Sequence, residues 1–373
     1  MSATVAQRAL RRALDQIRYV SPVRPAAAAG LVAAVYAQVE RDFGMLAPPV
    51  ALHSPAPGPL AASWVMLRET LVAQGQAERA AKEMVAAAVS VENACPYCVS
   101  VHNAALGGLD HGRDAAALAG DRIESMADPA LAGIARWARS SGRRDTARGG
   151  IPPFPAGQLA ELAGVAVTFQ YLNRMVTLFL AESPLPAAVP GPVAGGMMRV
   201  LGRMLRSASA GRPEPGASLA LLPAAAQPDD LRWAAGNPVI ADAFARAIAA
   251  IEAAGAPAVP EPVRELIRGE LAGWDGQAPG PSRAWADDIV AGLPAAARPA
   301  GRLALLTAFA PYQVIRADIE AFRGGQPRDE ELIAFTSWAS MAAARRAGAW
   351  LGEPVTPARP DGPSNTRSPG YRP

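Results

Sequence analysis

The sequence predicts an all-α protein in which two tandem helical bundles pack against each other. Apolar residues recur at helical spacing along nearly the whole chain, and the Val–Thr alternation typical of strands is rare. The chain has 373 residues, 50% of them hydrophobic and 18% charged, which is enough apolar material for two domains of ordinary size. A stretch near residue 310 also resembles one near residue 95, which indicates an internal repeat.

The first half is a series of predicted helices punctuated by proline and glycine. Pro22 and Pro25 break the first helix, and the Pro48–Pro49 pair follows the second. Gly107–Gly108 is expected to stop the helix before it. The predicted helices cover residues 3–19, 26–43, 60–74, 77–91, 95–106, 111–119, 128–141 and 155–181.

The stretch from Glu83 to Leu106 holds both cysteines of the chain, Cys95 and Cys98, and one of its three histidines, His102. Cys98 and His102 are four residues apart and therefore share a helix face. Cys95 falls at the start of the second helix, where free N–H groups and the helix dipole favour a thiolate. This helix could be capped by Ser90 or Asn93.

Glu83 and His102 are expected to face one another. Glu83 lies seven residues before Ser90, the expected end of its helix, and His102 lies seven residues after Cys95. At about 1.5 Å per residue, each is about 10 Å from the turn, so an antiparallel helix pair places them level. A Glu–His–Cys relay of this kind can take a proton from a thiol and pass it to a leaving group.

This stretch resembles the carboxymuconolactone decarboxylase/AhpD-like alkylhydroperoxidase superfamily. The resemblance rests on seven positions that agree in type and spacing: Glu83, Ser90, Asn93, Cys95, Tyr97, Cys98 and His102. It implies that Cys98 meets the peroxide, that Cys95 resolves the sulfenic acid as a disulfide, and that Glu83 and His102 form the proton relay. It also implies a dithiol electron donor (a lipoyl or thioredoxin-like protein, or a low-molecular-weight thiol) and no redox prosthetic group.

The second half is interpreted as a copy that has lost the catalytic residue types. Residues 310–325 align with residues 95–108, and this places Ala310, Gln313 and Ala317 where Cys95, Cys98 and His102 stand. The packing residues persist. We therefore expect one active site per chain, in a pseudo-dimer whose second copy covers the apolar face of the first. The resemblance further implies a homo-oligomer.

Four segments follow from this interpretation. We place the active bundle at residues 1–183, a Pro/Gly/Ala-rich linker at 184–230, the degenerate bundle at 231–353 and a disordered tail at 354–373. The linker contains one predicted helix, 191–208, whose apolar surface we expect to be buried. Residues 257–297 look like an insertion, with Trp274 and Trp285 as packing anchors.

Composition excludes several classes of partner. The net charge is only +3 and no Lys/Arg cluster is interleaved with aromatics, so nucleic-acid binding is not expected. Arg143–Arg144 and Arg345–Arg346 are interpreted as solvated helix faces. No run of eighteen apolar residues indicates a membrane span, and residues 1–20 lack the apolar run of a signal peptide. A single C-x-x-C pair indicates the reducing cytoplasm.

Three other functions stay open at this stage. A lactone enzyme of the carboxymuconolactone decarboxylase type would need a basic cluster for substrate carboxylates. A zinc site could use Cys95, Cys98, His102 and Glu83, although one short helix closes a tetrahedron poorly. A redox sensor would form the disulfide without turnover. The plainest alternative, a buried cysteine pair, does not account for Glu83 and His102 at matching levels. His53 is interpreted as a surface residue or a pocket-entrance residue.

Overall fold

A computed structural model describes residues 14–147, 152–185, 189, 191–324 and 328–352. Within these residues every regular element is helical, which confirms the predicted all-α class. The long helices of the first half are α1 (Gly30–Phe43), α2 (Pro57–Leu67), α3 (Arg79–Glu92), α4 (Pro96–Gly108), α5 (Gly112–Ala119), α6 (Pro129–Ser140) and α7 (Leu159–Phe179). The linker contributes α8 (Gly191–Ser209).

The second half is also helical. Its helices are α9 (Pro238–Ala258), α10 (Glu261–Gly273), α11 (Ala284–Val290), α12 (Arg298–Phe309), α13 (Arg316–Arg323) and α14 (Asp329–Leu351). Single turns of α-helix lie at Pro48–Ala51 and Arg144–Ala147, and a π-helical turn at Arg68–Val72 extends α2. Short 3-10 turns lie at Pro25–Ala27, Ile123–Ser125, Ala156–Gln158, Leu219–Leu221, Asp229–Ala234, Ala295–Ala297 and Pro311–Gln313.

The predicted first helix, 3–19, lies mostly outside the described residues. Its described end is not helical beyond Leu14, and Tyr19 has a φ of 69°. The other predicted helices of the first half are present with ends shifted by a few residues. The predicted tail, 354–373, also lies outside the described residues.

Helices α3 and α4 form the antiparallel pair that the sequence predicts. They are joined by a tight turn in which Ala94 has a φ of 50° and the Cys95 N–H donates to the Ser90 carbonyl at 2.9 Å. A non-glycine residue in the left-handed region costs about 1 kcal/mol or more, so surrounding contacts must fix this turn. Helix α7 packs across α3 and completes the site.

A buried ion pair fixes α3 against α7. Lys82, the only lysine in the sequence, donates to Glu161 at 2.9 Å and to the Ala73 carbonyl at 3.0 Å. The Glu161 carboxylate also accepts from the backbone N–H groups of Gln76 and Ala77. Because every polar group in this buried cluster is hydrogen-bonded, the start of α3 is held in one position next to Glu83.

The two halves of the chain pack against each other through two pairs of helices. Helix α2 packs on α9, and α7 packs antiparallel on α14, where the Tyr171 hydroxyl donates to the Ser337 hydroxyl at 3.1 Å. One hydrophobic core runs through both halves. Each of these contacts joins a helix of the first half to a helix of the second, which agrees with the predicted tandem arrangement. The segment boundaries at 183/184 and 230/231 stay a prediction.

The second half has a broken counterpart of α4. Pro311–Gln313 form one 3-10 turn, Val314 and Ile315 are extended, and α13 begins only at Arg316. The Gln313 side chain accepts from the Trp285 indole at 3.0 Å, and Trp285 and Trp274 both pack against Phe309. The two tryptophans are thus packing anchors, as predicted.

The linker helix α8 is less buried than predicted. It crosses α4 where Gly202 meets Gly108, and a Cβ on either glycine would overlap a backbone atom of the other helix. Leu205 is buried in this contact. The opposite stripe is exposed, since Val193, Met197, Val200 and Met204 keep 37–54% of their accessible surface.

The arginine pair Arg345–Arg346 is not a solvated face, which corrects the sequence-based interpretation. Arg345 donates to both oxygens of Asp230, at 2.8 and 3.1 Å. Arg346 donates to the Ala272 carbonyl at 2.8 Å and lies over the Trp350 ring. Both side chains join α14 to other parts of the chain. No helix among the described residues is long and apolar enough to cross a membrane.

Candidate active site

The two cysteines form a reduced, buried pair at the start of α4. Their sulfurs are 2.9 Å apart and share a hydrogen bond. Cys95 is 1% exposed and Cys98 is 4% exposed, although their neighbours Ala94 and Pro96 are on the surface. The pair therefore lies just beneath the surface, where a small oxidant needs to displace little of the protein to reach it.

The surroundings of the two thiols shift their pKa values in opposite directions. Burial raises the pKa of Cys95, but its hydrogen bonds with the Cys98 thiol and the Cys98 backbone N–H outweigh burial and lower it. Burial, together with the neighbouring Cys95, raises the pKa of Cys98 well above its usual value, and a hydrogen bond from Ser90 opposes this. In the reduced protein the first proton is therefore lost from the Cys95 end of the pair.

Glu83 and His102 face each other as the sequence predicts. His102 Nδ1 lies 2.6 Å from Glu83 Oε2, and both side chains are buried. Arg79 donates to the other Glu83 oxygen at 2.7 Å. Burial raises the pKa of Glu83, but the charges and hydrogen bonds of Arg79 and His102 prevail and lower it. An ionised carboxylate only accepts, so Nδ1 carries the proton and Nε2 is left to exchange one with a thiol.

One stripe of α7 forms the far wall of the site. Its members Phe169, Asn173 and Thr177 are four residues apart and so lie on one helix face. The Phe169 ring meets the His102 ring edge to face at 4.6 Å. Asn173 Oδ1 lies 3.1 Å from the Ser90 hydroxyl, and the buried Thr177 hydroxyl has no hydrogen-bond partner among the described residues.

A second stripe of α7 holds the turn before Cys95. Asn93 donates to the Gln170 side-chain oxygen at 3.2 Å, and the same oxygen accepts from Arg174 at 2.9 Å. Arg174 also donates to the Ala308 carbonyl of the second half at 2.9 Å. Burial lowers the pKa of this guanidinium to about 10, so it stays charged at neutral pH. The chain Asn93–Gln170–Arg174–Ala308 connects the cysteine turn to the second half.

The structure pairs Cys95 with Cys98 and Glu83 with His102, but the expected caps are absent. Neither Ser90 nor Asn93 caps α4: Ser90 donates to the Ala86 carbonyl and Asn93 binds Gln170. Cys95 itself occupies the N-cap position, with no side-chain cap bond.

Sequence reasoning missed Arg79 and the α7 residues. Arg79 lies four residues before Glu83, a spacing at which an ion pair on one helix can be expected. The α7 residues carry no comparable local signal, because Asn173 is 83 residues from its partner Ser90.

The buried polar cluster does not fit a zinc site. Both oxygens of Glu83 already bind nitrogen donors, one of them the permanently charged Arg79. The described part of the chain contains no group of three or more His, Cys, Asp and Glu side chains placed to hold a metal ion. What the arrangement can do is deprotonate a thiol by way of His102 and close a disulfide between two sulfurs already in contact.

His53 does not line an entrance or lie on the surface. It is fully buried, its Nδ1 lies 3.3 Å from the Val50 carbonyl, and its ring stacks on Tyr171 at 5.6 Å. Burial lowers the pKa of His53 to about 4, so the ring is neutral and belongs to the core.

The sequence is similar to one protein-family profile and to one named relative. The sequence profile described as "Carboxymuconolactone decarboxylase family" matches residues 59–139, a range that contains Glu83, Cys95, Cys98 and His102. A protein of Mycobacterium tuberculosis (strain H37Rv) named alkyl hydroperoxide reductase is 38% identical over 337 residues, which cover 90% of this chain and 95% of that protein. No solved structure matches the chain.

Proposed function

Since this chain belongs to the carboxymuconolactone decarboxylase/AhpD-like family, we propose that it reduces alkyl hydroperoxides with the Cys95–Cys98 pair, assisted by Glu83 and His102. One observation carries the proposal: two reduced sulfurs 2.9 Å apart lie in the same buried site as a Glu–His pair joined at 2.6 Å. The name of the Mycobacterium tuberculosis relative supports the same reaction class.

The first step oxidises one sulfur. His102 takes the Cys98 proton, and the thiolate attacks the terminal oxygen of the hydroperoxide. An S–O bond forms, the O–O bond breaks, and the departing alkoxide receives the proton held on His102. The products are an alcohol and the Cys98 sulfenic acid.

The second step closes the disulfide. The Cys95 sulfur attacks the Cys98 sulfur, the S–O bond breaks, and water leaves. The lowered pKa of Cys95 suits this role, because that thiol loses its proton more readily than Cys98 does. A dithiol donor of the lipoyl, thioredoxin-like or low-molecular-weight class then reduces the disulfide and is itself oxidised.

Which cysteine attacks the hydroperoxide first depends on the Glu83–His102 relay. Burial favours the neutral Cys98 thiol at rest, so this thiol needs the His102 base at the moment of attack. The Glu83 carboxylate stabilises the imidazolium that forms. If Cys95 attacked first, the relay would be less important and the two cysteines would exchange roles.

The test treats reduced protein with a stoichiometric organic hydroperoxide and follows intact mass and free thiols. Wild type is expected to lose two thiols and about 2 Da, the two hydrogens removed on disulfide formation. Cys95→Ser should stop at a sulfenic acid, whereas Cys98→Ser should react no faster than an ordinary thiol. His102→Gln should slow the reaction about 10²- to 10⁴-fold, the usual contribution of a general base.

Each contrary result has a distinct meaning. Ordinary thiol kinetics in the wild type would reject the peroxidase function. The opposite pattern in the two serine variants would make Cys95 the attacking residue. A disulfide that forms but is reduced by none of the three donor classes would leave the redox-sensor function as the better description.

The lactone reaction has less support from the site. Its carboxylate substrate needs a basic cluster beside the reacting carbon. An open depression of about 320 Å³ next to Glu92 is lined by two arginines of α6, Arg136 and Arg139, and by Arg143 just after it. Arg136 is paired with Glu124, and Arg139 with Glu92, so this cluster is outside the buried Glu83–His102 pair and largely neutralised.

A further inference from the structure

The wall of α7 that faces the cysteines carries a buried donor that the reaction described above does not use. Asn173 is 1% exposed, and its Nδ2 nitrogen has no hydrogen-bond partner among the described residues. Leaving a buried N–H without a partner is energetically costly, so such groups are rare and are often functional.

The position of this donor is set by Ser90. The Asn173 side-chain oxygen lies 3.1 Å from the Ser90 hydroxyl, and the Ser90 carbonyl accepts from the Cys95 N–H at 2.9 Å. Ser90 therefore contacts both Asn173 and the start of the cysteine helix, where the two sulfurs are 2.9 Å apart. This places the unpartnered Asn173 amide next to the turn that carries the cysteine pair.

Ser90 cannot satisfy the whole Asn173 amide. Its hydroxyl has a single proton to donate, and its oxygen lies 2.6 Å from the Ala86 carbonyl and 3.1 Å from the Asn173 side-chain oxygen. An amide carries two N–H donors, and the Ser90 oxygen can accept only one of them in either orientation of the side chain. At least one Asn173 N–H is left for a ligand.

We propose that Asn173 is a further catalytic residue whose side-chain N–H binds the leaving oxygen of the hydroperoxide at Cys98; this rests on the proposed function. Negative charge develops on that oxygen as the O–O bond breaks. A preorganised donor in a buried site stabilises such charge without the reorganisation that water would need.

The test separates oxygen binding from thiol reactivity by using two electrophiles. Iodoacetamide alkylates a thiolate and presents no leaving alkoxide, whereas cumene hydroperoxide does present one. For each protein the rate constant of hydroperoxide reaction is divided by that of alkylation, and both are measured across pH. The variants are Asn173→Leu, which removes the amide, and Asn173→Asp, which keeps the oxygen that faces Ser90 but has no N–H at neutral pH.

The expected result is a selective loss. In both variants the ratio of hydroperoxide reaction to alkylation should fall about 10- to 100-fold, the effect of one hydrogen bond to a charged oxygen. Thr168→Val is the matched control, because Thr168 is buried on the same helix and pairs with Thr70 away from the site. Its ratio should equal that of the wild type.

Two outcomes would overturn the proposal. If the Asn173 variants slow alkylation and hydroperoxide reaction equally, the residue only supports the fold around the thiols. If wild type itself reacts with the hydroperoxide no faster than an ordinary thiol, the proposed function fails and the role of Asn173 fails with it. The wild-type rate thus distinguishes the two failures.

Discussion

At the residue scale, Arg79 sets the charge of the proton relay. Glu83 is almost wholly buried, and a carboxylate in that environment would hold its proton up to an unusually high pH. The Arg79 guanidinium, whose nitrogen lies 2.7 Å from the Glu83 carboxylate, and His102 together outweigh the effect of burial and keep the pKa of Glu83 below its ordinary value. His102 therefore faces a carboxylate and not a neutral acid throughout the physiological range.

Removing this charge should move the acid limb of activity upward. In Arg79→Gln, burial of Glu83 is opposed by His102 alone, so the pKa of Glu83 rises and the protonated, inactive relay persists to higher pH. We expect the acid limb of the hydroperoxide rate profile to shift up by about 1–2 pH units. Single-turnover rates between pH 4 and 9 measure the shift.

The control for this measurement is Arg113→Gln. Arg113 is exposed on α5, and its loss changes the net charge of the protein equally. Its profile should match the wild type. Identical profiles for all three proteins would show that Arg79 does not govern Glu83.

At the scale of elements, α4 is packed from several sides. Its inner face carries Cys98 and His102 towards α3 and α7, while its outer face is crossed by α8 through Gly108 and Gly202. Small residues permit this close backbone approach. The linker therefore does more than connect two halves, since one of its helices covers the back of the cysteine helix.

Two glycines of α8 provide a matched test of this contact. In Gly202→Ala the new methyl group would overlap the Ala104 carbonyl of α4, so α8 must shift, and we expect a loss of about 1–3 kcal/mol in the free energy of unfolding. Gly195 on the same helix has open space around it, so Gly195→Ala should gain about 0.5–1 kcal/mol. Denaturant unfolding and limited proteolysis of α8 report both changes. Equal effects at the two positions would argue against the crossing.

At the scale of the whole molecule, the two halves share one core. His53, in the turn before α2, stacks on Tyr171 of α7, and the Tyr171 hydroxyl donates to Ser337 of α14. A change at His53 therefore acts on contacts that hold the halves together. We expect a single cooperative unfolding transition, because no separate core is available to either half.

The neutral state of His53 should make this transition sensitive to acid. The unfolded chain takes up a proton at His53 near the ordinary pKa of 6.5, whereas the folded protein does so only at about 4. The stabilisation that His53 contributes as a neutral buried ring is fully present above pH 6.5. It is lost as the pH falls towards 4, which lowers the free energy of unfolding by about 3 kcal/mol.

The variant His53→Gln isolates this effect from other titrating groups. The difference in unfolding free energy between wild type and the variant should shrink by about 3 kcal/mol between pH 7 and pH 4. Urea unfolding at several pH values measures it. A constant difference would mean that the His53 ring accepts its proton in the folded state as readily as in the unfolded chain.

The sequence by itself determined the features that depend on local spacing. Apolar residues at helical intervals determined the all-α class, and equal distances from one turn placed Glu83 opposite His102. The C-x-x-C spacing across the first turn of α4 brought the two sulfurs together. These predictions succeed because backbone geometry relates residues on one helix, or on two helices joined by a tight turn.

Only the tertiary structure decided which distant elements complete the site. Asn173 reaches Ser90 because α7 packs across α3, and Arg174 connects the cysteine turn to Ala308 because the second half packs on α7. The same packing buried His53 and left one stripe of α8 exposed. Such contacts result from many weak interactions summed over whole helices, and no local spacing in the sequence encodes them.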